Sequence, residues 1–102
     1  MDTLHIAYKI LYSLEHEDRA DYMGLVVSPE KLKVSETEWL KVIRILSNDG
    51  YISGVQIQKN VLGETEVDIQ DISITMKGGE YLRENNIMKQ IAKVATNIIS
   101  II

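Results

Sequence analysis

The 102-residue sequence predicts an α+β domain, mostly helical, with one antiparallel hairpin. Three observations carry that expectation. Apolar residues recur at helical spacing in the first half of the chain and again after residue 75; a two-residue alternation occupies 51–74 between them. Ser28, Pro29, Ser35, Gly50, Gly63 and Thr75 punctuate the tracts where starts, stops and a turn are needed. With 45% apolar and 25% charged residues the composition is that of a globular chain, and its length suits one domain spanning 1–102.

The first helix is expected over 3–15, where Leu4, Ala7, Tyr8, Leu11 and Leu14 follow at spacings of three, one, three and three and share one side, read as the core-facing side. "EHEDRAD" is polar and acidic. "YMGLVV" is a short apolar run with a glycine, expected to be a loop with at most a minimal edge strand. A second helix over 28–33 starts with Ser28 as N-cap and Pro29 at the first helical position, where the missing N–H costs nothing.

Ser35 caps the third helix, 35–49, and Glu38 three residues on completes a capping box. Val34 and Trp39 occupy the positions of a hydrophobic staple across that cap. A 100° step groups Trp39, Leu40, Val42, Ile43 and Leu46 on one side and Thr37, Lys41, Arg44 and Asn48 on the other, with Ile45 among the polar residues. "SNDGYI" stops the helix: Gly50 can take the left-handed conformation and Tyr51 is placed to meet Leu46 in a Schellman arrangement.

The hairpin is expected over 51–74. Val55 to Gln58 alternate, as do Val67, Ile69 and then Ile72, Ile74, with a phase slip near Asp71 that suggests a bulge or an end of pairing. Gly63 sits at the connecting loop. Helices over 75–102 close the chain, starting at a Thr75 cap with Tyr81 and Leu82 as the buried side. Gly78 and Gly79 would permit close packing at that helix start. Three helices, a two-stranded β-hairpin wing and an extra C-terminal helix, in that order, make the plan of a winged helix-turn-helix domain.

The residues also resemble a known family. "SETEWLKVIRILSNDGYISG", then a hairpin, then "ISITMKGGEYLREN" is similar to the YjcQ-like winged-helix proteins of Gram-positive bacteria and their phages, in which a helix runs into "GYI" and the hairpin into "LT-x-K-G-x-x-YL-x-EN". The resemblance covers residues 28–86, and "TMKGGEYLREN" is its most specific part. It implies a winged-helix fold and carries over no catalytic residue.

The chain has no cysteine, which excludes thiol chemistry and thiolate metal sites and fits a cytoplasmic location. The N-terminal "MDTLHIAYKILY" lacks the basic start and unbroken apolar core of a secretory signal. The most apolar segment, 87–102, is interrupted by Lys89, Lys93 and Asn97 and falls short of the roughly 20 residues that span a bilayer. No membrane association is therefore expected.

Double-stranded DNA is one candidate partner. The second helix of a helix-turn-helix motif enters the major groove, and here it would present Thr37, Lys41, Arg44 and Asn48, with Lys31 and Lys33 flanking as phosphate contacts. Arg and Lys suit guanine edges, Asn suits adenine, and Thr suits phosphate or a thymine methyl. Residues 31–48 carry four positive charges against two negative, inside a chain of net charge −4. Glu36 and Glu38, by contrast, sit in the first turn, where the helix dipole favours acids and a phosphate would be repelled. From Lys59 to Asp71 one positive charge meets four negative, the wrong sign for a wing that tracks phosphates. A protein-interaction module whose helix face and acidic wing contact a protein partner is the alternative reading.

Ile87, Ile91, Val94, Ile98 and Ile101 form a heptad-like seam, read either as an intramolecular contact with the first helix or as a homodimer interface. Ile99 and Ile102 widen the apolar side beyond what one neighbour would cover, which favours the homodimer. His5, His16, Glu15, Glu17, Asp18 and Asp21 match no metal-ligand spacing. No nucleophile elbow or phosphate loop is present, so no catalytic residue and no cofactor is assigned and the chain is not expected to be an enzyme. The five tyrosines and Trp39 are read as core and core-edge residues, because a stacking row for single strands would need basic neighbours.

Overall fold

The computed structural model describes residues 3–85. Helix α1 runs Thr3–His16, a 3₁₀ turn Ala20–Tyr22 leads into the single-turn helix α2, Met23–Val26, and α3 spans Pro29–Leu32. Then come α4 (Glu36–Asn48), strands β1 (Ile52–Ser53), β2 (Gln56–Lys59), β3 (Thr65–Asp68) and β4 (Ser73–Ile74), and α5 (Met76–Glu84). This α+β arrangement, mainly helical with a small antiparallel hairpin, is compatible with the winged-helix plan.

One hydrophobic core joins Ile6, Ala7, Ile10, Leu11 and Leu14 of α1 to Trp39, Val42, Ile43 and Leu46 of α4, with Val27, Leu32, Ile52, Ile72 and Leu82 around them. Full burial of such a side chain stabilises by roughly 1.5–3 kcal/mol before entropy is counted. The helix at the N-terminus is rotated relative to the expected stripe. Ile6 and Ile10 are buried, whereas Leu4 is 67% exposed, Tyr12 46% exposed and Tyr8 only half-buried. His5, Lys9, Ser13 and His16 form one polar side, but the apolar arc that remains is wider than the buried face, so amphipathicity alone does not choose which part of it turns inward. Packing resolves it by turning Ile6, Ile10, Leu11 and Leu14 inward and leaving Tyr12 and Leu4 at the surface.

The segment "YMGLVV" also departs from the expected loop or minimal edge strand. Its residues form the end of the 3₁₀ turn, helix α2 and Val27, with no strand. The four strands pair only among themselves, β1 with β4 and β2 with β3, which leaves this segment no ladder to join. Helical backbone satisfies its N–H and C=O groups locally instead. Val27 is fully buried, and Trp39 Nε1 donates to its carbonyl at 2.7 Å, tying α4 to the segment that precedes α3.

The hairpin is one long antiparallel excursion interrupted midway. In the outer ladder Ile52 opposes Ile74; in the inner one Gln56 opposes Asp68 and Lys59 opposes Thr65. Two residues, 54 and 55, separate the ladders on one side and four, 69–72, on the other, and the surplus lies at the phase slip near Asp71. Gly54, at φ +79°, permits the interruption: a Cβ there would overlap the Asp71 carbonyl oxygen.

Thr75 fastens the end of α4 to the start of α5. Its Oγ1 donates to the Gly50 carbonyl at 2.6 Å and accepts from Gly78 N–H at 3.1 Å, while its own N–H donates to the Tyr51 carbonyl at 3.1 Å. Lys77 Nζ adds a bond to the Asp49 carbonyl at 2.7 Å and lies over the Tyr51 ring. Gly78 packs so closely on Tyr51 that a Cβ would collide with its carbonyl oxygen.

Candidate nucleic-acid interface

Helix α4 is held at both ends. Ser35 Oγ accepts from Glu38 N–H at 3.2 Å. At the other end Tyr51 N–H reaches the Leu46 carbonyl at 2.9 Å and Gly50 N–H the Ser47 carbonyl at 3.2 Å, with Gly50 at φ +82°, the two bonds of a Schellman motif. With Trp39, Val42, Ile43 and Leu46 buried, the rotation of α4 is fixed and its opposite face must look outward.

Thr37, Lys41, Arg44 and Asn48 are all exposed, at spacings of four, three and four, which aligns them in one stripe roughly 16 Å long at 1.5 Å per residue. Ile45 is 40% exposed beside them. The structure adds a second wall that sequence reasoning missed. Arg44 and Asn48 share a recess of about 410 Å³ with Ile57, Gln58, Lys59 and Thr65 of the hairpin. Thr37 and Lys41 continue the same stripe outside that recess, toward the N-terminal end of α4.

The hairpin's charge is divided between its faces. The register opposes Ile57 to Val67 and Lys59 to Thr65, and these four side chains share one side of the ribbon. Gln56 opposite Asp68 and Gln58 opposite Glu66 share the other. Ile57, Lys59 and Thr65 contribute to the α4 recess from the first side and Gln58 borders it from the second, so Glu66 and Asp68 alternate away from Lys59 and Thr65 while Glu66 stands opposite a residue at the recess edge. Counting charge along the sequence merged two faces that strand alternation separates. At the tip, Asn60 Oδ1 accepts from Leu62 N–H at 2.9 Å and Glu64 N–H at 3.0 Å, which leaves Val61 and Leu62 projecting fully into solvent.

Lys31 and Lys33, expected to flank α4, are exposed but line a different recess, of about 430 Å³, between α1 and α3. Lys33 terminates α3 in the left-handed conformation at φ +59°. Among the described residues, Lys31, Lys33, Lys41, Arg44 and Lys59 have no ion-pair partner. Arg19 differs: its Nε donates to Glu17 at 2.9 Å, and this hydrogen bond is the main reason the Glu17 carboxyl titrates below the ordinary glutamate range and the Arg19 guanidinium is raised.

His16 stacks on Tyr12 with ring centroids 4.0 Å apart, and no three His, Asp or Glu side chains among the described residues gather as metal ligands. No helix among the described residues is long and apolar enough to cross a membrane. The seam of Ile87, Ile91, Val94, Ile98 and Ile101 lies outside the described residues.

No curated protein and no solved structure matches the chain. A family model described as YjcQ protein matches residues 8–100, which contains the whole motif-bearing stretch 28–86. The chain belongs to the YjcQ family.

Proposed function

We propose that this is a winged-helix DNA-binding protein, a single domain over 1–102 that acts in the cytoplasm as a transcription regulator of bacterial or phage type, without catalytic activity. Helix α4 enters the major groove and the hairpin is the wing. The observation that carries the reading is the joint surface of α4 and hairpin: unpaired Lys41, Arg44 and Lys59 beside Asn48 and Thr65, with Glu66 and Asp68 on the opposite side of the ribbon. Arg44 and Lys41 supply guanine or phosphate contacts, Asn48 an adenine contact, and Thr37 a phosphate or methyl contact. Lys31 and Lys33 lie farther along the protein as phosphate contacts. Self-association through the 87–101 seam would match a two-fold-related site.

Fluorescence anisotropy of a labelled random duplex at low and moderate salt tests the proposal. Micromolar binding that weakens steeply with salt is expected, and replacing Lys41 and Arg44 together with alanine should abolish it, the salt slope dropping by about 2. Unchanged binding in that variant would remove α4 as the reader. The side of the hairpin bearing Glu66 and Asp68 favours a second reading, a module that binds a basic protein surface. That reading takes precedence if the wild-type chain ignores duplex even at low salt.

A further inference from the structure

The recess between α1 and α3 has a different chemistry from the α4 surface. Tyr8, Tyr12 and Leu32 supply ring and aliphatic surface, and Lys9, Lys31 and Lys33 stand around it. No acid is among the residues that line it, and none of the three ammonium groups has an ion-pair partner among the described residues. Three unneutralised cations around an apolar surface, in a chain of net charge −4, are a local reversal of the protein's overall sign.

The aromatic side is organised before any ligand arrives. Tyr8 stacks on Tyr12 at 6.0 Å, and Tyr12 stacks on His16 at 4.0 Å with a 20° interplanar angle. His16 Nδ1 lies 2.9 Å from the Tyr12 carbonyl, which holds the imidazole over its neighbour. These rings descend from the rotation of α1 that buries Ile6 and Ile10 and leaves the i, i+4, i+8 row of Tyr8, Tyr12 and His16 outside the core. Alignment of the rings by their own contacts lowers the entropy that a stacked ligand would have to remove.

We infer that this recess binds a small aromatic anion, a ring bearing a carboxylate, sulfonate or phosphate, with the ring on Tyr8, Tyr12 and Leu32 and the anionic group among Lys9, Lys31 and Lys33. Its volume of about 430 Å³ falls in the range of small-ligand sites, roughly 300–1,000 Å³, which combine apolar walls with a few charged groups. The site shares Lys31 and Lys33 with the proposed phosphate contacts, whereas Lys9, Tyr8 and Tyr12 belong to no part of the duplex surface, so Lys9 and Tyr12 are the substitutions that separate the two readings.

The test titrates the full chain with 8-anilinonaphthalene-1-sulfonate, an aromatic anion whose emission rises in apolar surroundings, alongside its neutral counterpart N-phenyl-1-naphthylamine. Saturable binding of the sulfonate is expected, with the neutral dye weaker. Lys9→Gln with Lys33→Gln should weaken the sulfonate by about tenfold, as loss of charge-assisted contacts does, and leave the neutral dye unchanged. Tyr12→Ala should weaken both dyes, and far-UV circular dichroism establishes that each variant is folded. Equal binding of the two dyes, or indifference of the sulfonate to these substitutions, overturns the assignment and puts the dye on other apolar surface such as Val61 and Leu62 at the hairpin tip. Salicylate displacing the sulfonate dye supports a small-ligand site; displacement by a glutamate-rich peptide and not by salicylate overturns it in favour of an acidic protein partner.

Discussion

The recess at α4 and the hairpin and the recess between α1 and α3 are nearly equal in size, about 410 and 430 Å³, and both are bordered by unpaired cations. What lies between the cations differs. Beside α4 it is Asn48, Gln58 and Thr65, groups that exchange hydrogen bonds with a polar edge; beside α1 it is Tyr8, Tyr12 and Leu32, surface that gains by shedding water. Charge alone therefore does not assign a partner. The same lysine suits an extended phosphate backbone on a polar floor and a compact aromatic anion on an apolar one.

The largest expected effect separates the two regions mechanically. Gly54→Ala puts a Cβ against the Asp71 carbonyl at a positive φ and should lower stability by about 1–3 kcal/mol in urea denaturation. Below the transition, duplex binding should be lost while dye binding at α1 persists; if both fall together, the two recesses are not separate units. A smaller effect tests the sidedness of the hairpin. Lys59→Gln should weaken duplex binding several-fold and reduce the salt slope by about 1, whereas Glu66→Gln with Asp68→Asn should change the slope little. A larger gain from removing the acids than loss from removing the lysine would show that the ribbon meets DNA with its acidic face.

The smallest effect concerns Arg19, a cation just beyond α1 that Glu17 neutralises. Because Arg19 holds the Glu17 carboxyl below its ordinary range, the pair's contribution to folding is present above that range and fades as pH falls through the lowered value. In NMR titration Arg19→Gln should shift the Glu17 midpoint upward, with no change in dye affinity. A changed dye affinity would place Arg19 in the α1 site.

Helix boundaries were legible where a side chain or a special backbone angle sets them. Ser28, Ser35 and Thr75 each accept from an N–H three residues on, and Gly50 and Tyr51 close α4 as local rules require. The stripe on α4 was legible because that helix has a clear apolar and a clear polar side. Helix α1 was not, since beyond the polar side of His5, Lys9, Ser13 and His16 its apolar arc is wider than the buried face, and contact with α2, α4, β4 and α5 selects which part is buried. Lys59 and Thr65 were invisible as co-lining residues with Arg44 because the hairpin's fold-back sets them along the same recess, a juxtaposition no spacing in the chain encodes. Alternation could have found the separation of Glu66 and Asp68 from them, had charge been counted by face.

The bonds that Thr75 and Lys77 send to the carbonyls of Asp49 and Gly50 leave no slack between the last turn of α4 and the first of α5. Losing Thr75 would therefore loosen two helix ends at once, the end of the helix that carries Asn48 and Arg44 and the capped first turn of α5.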